Sequence, residues 1–176
     1  MHYLNSDFRS TPLRTLCTSS SNAIDELMEF SKNSLLLDGL TALEYAEYFY
    51  GAVLVACQAY AVGTVSDVNV IRESQGKEKV QKFELYKYSV YPKIEPTDVE
   101  FINALANYFK HHDEWPQWPN NETVKILRRF DITEKTEFPL KVGSEKLIGY
   151  YPDLRGLCQV LETWRMQVFQ KWCENA

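Results

Sequence analysis

GAVLVACQAYAVGTV, residues 51–65, is the longest apolar run in the chain, and how it is read decides the fold. Its 15 residues include Gln58 near the middle. A membrane-spanning helix needs roughly 20 predominantly apolar residues. This run is shorter than that and rich in Ala and Gly, so it reads as a buried helix. From Ala52 to Val62 the apolar residues fall almost all round the helix, and such a helix must be surrounded by others. Its small residues let those neighbours approach closely. The run is therefore expected to be the central helix of a bundle. Thr41 and Glu44 have the spacing of a capping box ahead of it, and no proline follows until Pro92.

On the N-terminal side, the first dozen residues show no clear period. From about Ser21 the text turns helical. Ser21 or Asn22 can cap, Asp25 and Glu26 suit the first turn, and Ile24, Leu27, Met28 and Leu35 fall near one face, with Gly39 as a C-cap. On the C-terminal side, residues 76–96 break the helical pattern. Phe83 to Tyr91 alternates loosely, which fits a short strand, a hairpin arm or an extended connector near 80–95. Pro96-Thr97-Asp98 is a stop followed by a cap, and Phe101, Ile102, Leu105, Tyr108, Phe109 and His112 recur at three and four. That helix is expected to end near Glu114, because Pro116 disfavours the helical state at Trp115. Asn121 caps a further helix, with Glu122 at its start and Arg128 and Arg129 at its end. Residues 133–152 read as irregular. A last helix runs from about Asp153 to Asn175, with Leu154, Leu157, Leu161, Val168 and Trp172 as its stripe and Cys158 beside it. The expectation is an all-α fold: one domain over residues 1–176, a bundle of about five helices.

The totals agree with a globular protein. The chain has 176 residues, 45% hydrophobic and 24% charged, enough apolar content to build a core. Aromatics reach 14%, which raises the prospect of rings at a surface. A net charge of −5 and a pI near 5.3 disfavour general binding to phosphate backbones and suit a basic protein partner. Cys17, Cys57, Cys158 and Cys173 form no CxxC pair and read as reduced, mostly buried thiols. The N-terminal MHYLNSDFRSTPLR has no apolar signal core, so the expected location is the cytoplasm.

The densest chemistry lies at residues 106–119, ANYFKHHDEWPQWP. Consecutive helical positions point about 100° apart. At most two of His111, His112, Asp113 and Glu114 can then share one ion, and no metal or other cofactor is expected. The chain has no GxSxG, no phosphate loop and no GxGxxG. Asn107, Lys110 and His111 lie at i, i+3 and i+4 on one helix face. That is an arrangement suited to general acid–base work on a phosphodiester, with a histidine moving the proton and a cation steadying the phosphate. A plainer account also fits: cations favour the last turn of a helix, and Asp113 and Glu114 pair with them. WPQWP fixes two large rings on a proline-stiffened loop, flanked by Asp113, Glu114 and Glu122. Such a loop suits protein binding if the rings are exposed, and bundle closure if they are core.

ALANYFKHHDEW resembles the motif helix of HEPN-domain proteins, helical bundles in which an Arg is followed by a polar residue, often Asn, and then a His. Here Asn107 matches the polar position and His111 or His112 the histidine, while Ala106 occupies the arginine position. The resemblance implies a bundle fold, a dimer and metal-independent ribonuclease chemistry at Asn107, Lys110, His111 and His112. In size, charge and altered motif the chain is also similar to bacterial immunity and antitoxin proteins. That likeness implies a non-catalytic protein that occludes a basic nuclease toxin, with Asp113, Glu114, Trp115, Trp118 and Glu122 as the partner-binding residues. This second function is the one expected, with no membrane and no direct nucleic-acid contact.

Overall fold

The computed structural model describes residues 7–33, 35–90, 95–150 and 153–174. The apolar run lies within α2, Gly39–Ser74, a helix of 36 residues. At 1.5 Å per residue such a helix is about 54 Å long. Around it stand α1 (Ser10–Asn33), α3 (Lys82–Tyr86), α4 (Asp98–His111), α5 (Glu122–Arg129), α6 (Pro139–Ile148) and α7 (Arg155–Phe169). α2 packs against α1, α3, α4, α6 and α7, so it is the centre of the bundle. By length and composition it is also the one helix among the described residues that could cross a membrane, although only 44% of its most apolar stretch is buried. The fold is all-α, with seven α-helices and no strand among the described residues.

Contacts between helices fix their directions. Arg9 reaches Asp67, and Ile24 and Tyr50 line one cavity, so α1 runs antiparallel to α2. Gly51 sits against the Phe109 ring and Gln58 bonds Asn103, so α4 is antiparallel to α2 as well. Arg14 pairs with Glu162, and the Cys17 and Cys158 sulfurs are 3.4 Å apart, so α7 runs antiparallel to α1. A Cβ at Gly51 would come within 2.2 Å of Phe109, which is why α2 and α4 can pack as closely as they do. One core cluster joins Leu13, Cys17 and Ile24 of α1 to Val53, Leu54 and Cys57 of α2, Phe101 to Ala106 of α4, and Leu157, Leu161 and Val168 of α7. Cys17, Cys57 and Cys158 are buried free thiols and Cys173 is half-buried.

Several sequence expectations need correction. α1 starts at Ser10, eleven residues before Ser21, with Pro12 in its first turn, where a missing N–H costs nothing. Leu35 is fully exposed in the α1–α2 connection and is not part of the buried stripe. Gly39 begins α2 and does not end α1. The α2 cap is Asp38, whose carboxylate accepts from the N–H groups of Leu40 and Thr41; Thr41 and Glu44 do not form the expected box. Within residues 80–90 the expected extended segment is instead a short helix, α3, with Leu85 and Tyr86 fully buried; residues 91–94 of that expectation lie outside the described residues. α6 lies inside the stretch expected to be irregular. Pro139 opens it at N1, and the Glu47 carboxylate of α2 accepts from the N–H groups of Leu140 (2.9 Å) and Lys141 (2.7 Å). The cap at Thr97, the Asn121 cap and the buried stripe Leu154, Leu157, Leu161, Val168 stand as expected, and Thr97 proves to form a full capping box with Glu100.

Arg165 of α7 is 4% exposed, an unusual burial for a guanidinium. Asp67 accepts from its Nη1 at 2.9 Å, Asp7 lies 3.6 Å from its Nε, and its guanidinium stacks on Phe169. Asp67 also pairs with Arg9, and the Tyr60 hydroxyl donates to Asp7. The buried charge thus has two carboxylate partners, and the network ties the turn before α1 to α2 and α7.

Candidate functional site

The residues 106–119 stretch lies where α4 leaves the core. Every residue from Val99 to Ala106 is buried, Asn107, Tyr108 and Phe109 are half-buried, and Lys110 and His111 are exposed. The start of α4 is rigidly set. Glu100 N–H donates to Thr97 Oγ1, Thr97 N–H donates to Glu100 Oε2, and the Thr97 hydroxyl donates to the Tyr86 carbonyl at 2.6 Å. His112 to Glu114 continues as a single 3-10 turn, and Trp115 is extended ahead of Pro116.

The structure brings Asn107 and Lys110 together through a residue of α2. Gln58 Nε2 donates to Asn107 Oδ1 and Asn103 Oδ1, both at 2.9 Å, and Lys110 Nζ donates to Gln58 Oε1 at 2.8 Å. A lone Gln within the apolar run 51–65 was the sequence signal for this interhelical bridge. The histidines point elsewhere. His111 Nδ1 lies 3.3 Å from Glu114 Oε2. His112 Nδ1 faces the carbonyls of Tyr108 (3.1 Å) and Phe109 (3.3 Å), its Nε2 lies 3.1 Å from Asp113 Oδ1, and its ring stacks on Tyr108. Of the four residues of the acid–base reading, Asn107 and Lys110 share Gln58 while His111 and His112 have partners of their own, so the four do not converge on one point. Among the described residues no group of three His, Cys, Asp or Glu is arranged to hold a metal ion.

The tryptophans lie between core and surface. Both are half-buried, 6.3 Å apart and edge to face, and each also meets the Tyr108 ring, Trp115 at 5.8 Å and Trp118 at 5.7 Å. Trp118 packs against the core cluster, whereas Trp115 is not part of that packing and lies against neighbouring rings. Burial raises the pKa of the Tyr108 hydroxyl, with Glu47 and Asp113 adding to the effect. Carboxylates rim the cluster. The side chains of Asp113, Glu114 and Glu122 are 89%, 71% and 77% exposed. Sequence reasoning missed Tyr48 of α2, which is 69% exposed and meets Phe109 edge-on at 6.1 Å. No protein-family model matches the chain, and no curated protein or solved structure is significantly similar to it.

Proposed function

We propose that this chain is a non-catalytic binding protein of the cytoplasm that works as immunity or antitoxin proteins do, by covering the active site of a basic nuclease toxin. The observation that carries the reading is the surface at the end of α4. Trp115 and Trp118 are fixed by their contacts with Tyr108 and partly open to solvent, beside three carboxylates whose side chains are more than two-thirds exposed. Rings already immobilised lose little entropy when a partner covers them. Exposed carboxylates steer a basic partner and pair with its lysines and arginines. Against ribonuclease chemistry stand the Lys110 ammonium tied to Gln58 and the His111 and His112 rings held by partners of their own.

The test sets both functions side by side. Purified protein is incubated with a labelled transcript in chelator, and its association with a basic nuclease domain is followed at rising salt. The proposal predicts intact RNA and an association rate that falls as salt rises. RNA cleavage that disappears in His111→Ala or His112→Ala would establish the ribonuclease instead.

A further inference from the structure

A second recess lies between α1, the first half of α2 and the α6–α7 region, away from the α4 end. It is a cavity of about 800 Å³, within the range of sites for small organic molecules. Ile24, Met28, Leu43 and Ala46 give it an apolar wall, and Tyr50 lies in its floor. Tyr50 is 5% exposed, yet its hydroxyl has no hydrogen-bond partner among the described residues. It is not among the sealed, unsatisfied polar atoms either, so the hydroxyl opens on the recess. A ligand seated in the recess can bond that hydroxyl directly.

The charges on the rim indicate which ligand fits. Each cation there is tied to its own acid: Lys32 to Glu29 at 3.1 Å, Lys141 to Glu145 at 2.6 Å, and Arg155 to Asp153 through Nε at 2.7 Å. Asp25 of α1 also lines the recess and has no ion pair or hydrogen bond among the described residues. The uncompensated charge facing the cavity is therefore negative. Burial first, and then the fields of Glu145, Glu47 and Asp25, push the Tyr50 phenol up to about 12, so it remains a neutral hydroxyl with lone pairs to offer. An anion would meet those same fields with the wrong sign. A neutral alcohol would satisfy Tyr50 and leave the Asp25 charge unused.

We propose that this recess is a binding site for a small amphipathic amine, its ammonium group donating to the Asp25 carboxylate and the Tyr50 hydroxyl oxygen and its apolar body lying on Ile24, Met28 and Leu43. The site is independent of the protein-docking surface at Trp115.

Calorimetric titration of the intact chain with n-hexylamine, hexan-1-ol and hexanoate tests the assignment. Hexylammonium is expected to bind saturably at one site, with hexanol weaker by at least about tenfold because it forfeits the charge-assisted contact, and hexanoate not at all. Asp25→Asn should weaken hexylammonium by about tenfold or more and Tyr50→Phe by a few-fold. Tyr50→Phe should leave the melting temperature unchanged, since its hydroxyl bonds nothing in the fold. Trp115→Ala should leave amine binding intact. No saturable binding up to about 10 mM, equal binding of alcohol and amine, or equal binding to Asp25→Asn would overturn the assignment.

Discussion

The two tryptophans of the WPQWP loop differ in what they touch, and this separates stability from binding. Trp118 packs on the core, so Trp118→Ala should cost about 2 kcal/mol in urea unfolding, less than a fully buried ring would. Trp115 meets the Tyr108 and Trp118 rings and is not packed on the core cluster, so Trp115→Ala should cost well under that and leave the fold in place. Glu47 is a further single-residue test. Its carboxylate holds the first N–H groups of α6 from a different helix, and Glu47→Ala should lower stability by about 1–2 kcal/mol. At this scale the sequence showed local devices and hid distant ones. The Asn121 cap acts three residues along the chain and was legible. Glu47 acts 93 residues away, Gln58 joins Asn107 and Lys110 across two helices, and Arg165 is buried only because Asp67 and Asp7 come to meet it.

Among the elements, α2 was legible as an apolar run, α4 and α5 by an apolar period behind a good cap, and α7 by its stripe alone. The others were not, for separate physical reasons. The first half of α1 shows water a polar face and buries only Leu13, Cys17 and Ser20, so its period is faint. α6 contains Pro139 and Gly143, residues that look like punctuation; Pro139 in fact opens the helix, and Gly143 admits Leu105 of α4. α3 is a single turn whose buried Tyr86 resembles a strand residue when read alone. The α2–α4 interface is the most sensitive of these contacts. Gly51→Val would drive a branched side chain into the Phe109 ring and should destabilise by about 1–3 kcal/mol in thermal unfolding. Since Phe109 also meets Tyr48 edge-on, the same change should displace the exposed Tyr48 ring.

At the scale of the whole molecule, the bundle buries protons along with apolar surface. Burial raises the phenols of Tyr60 and Tyr86 as well as Tyr50, most strongly where Tyr60 also donates to Asp7. Cys158 acts to lower the Cys17 thiol, but the Cys57 contact and burial outweigh it and push that thiol up to about 12. An unfolded chain releases these protons from about pH 8.5 for thiols and 10 for phenols. The folded chain holds them to higher pH, so their contribution to stability should be level below about pH 8.5 and lost progressively towards pH 12, read as a falling urea midpoint. Over the same span, tyrosinate absorbance of the native protein should lag behind that of the denatured chain. The bundle class itself was legible from one helix apolar almost all round, although Ala52, Ala59 and Val62 turn out to face solvent. The residues of the proposed docking face were named from the sequence alone, whereas the contact of Tyr48 with Phe109 links two helices and was not legible there. The central claim is that this face holds a basic protein. Its most direct measurement is the affinity of the partner that co-purifies with the chain, compared between wild type and the folded variants Trp115→Ala and Asp113→Lys/Glu114→Lys. The account predicts a basic partner and affinity lost by about a hundredfold or more in each variant; equal affinity in all three proteins would contradict it.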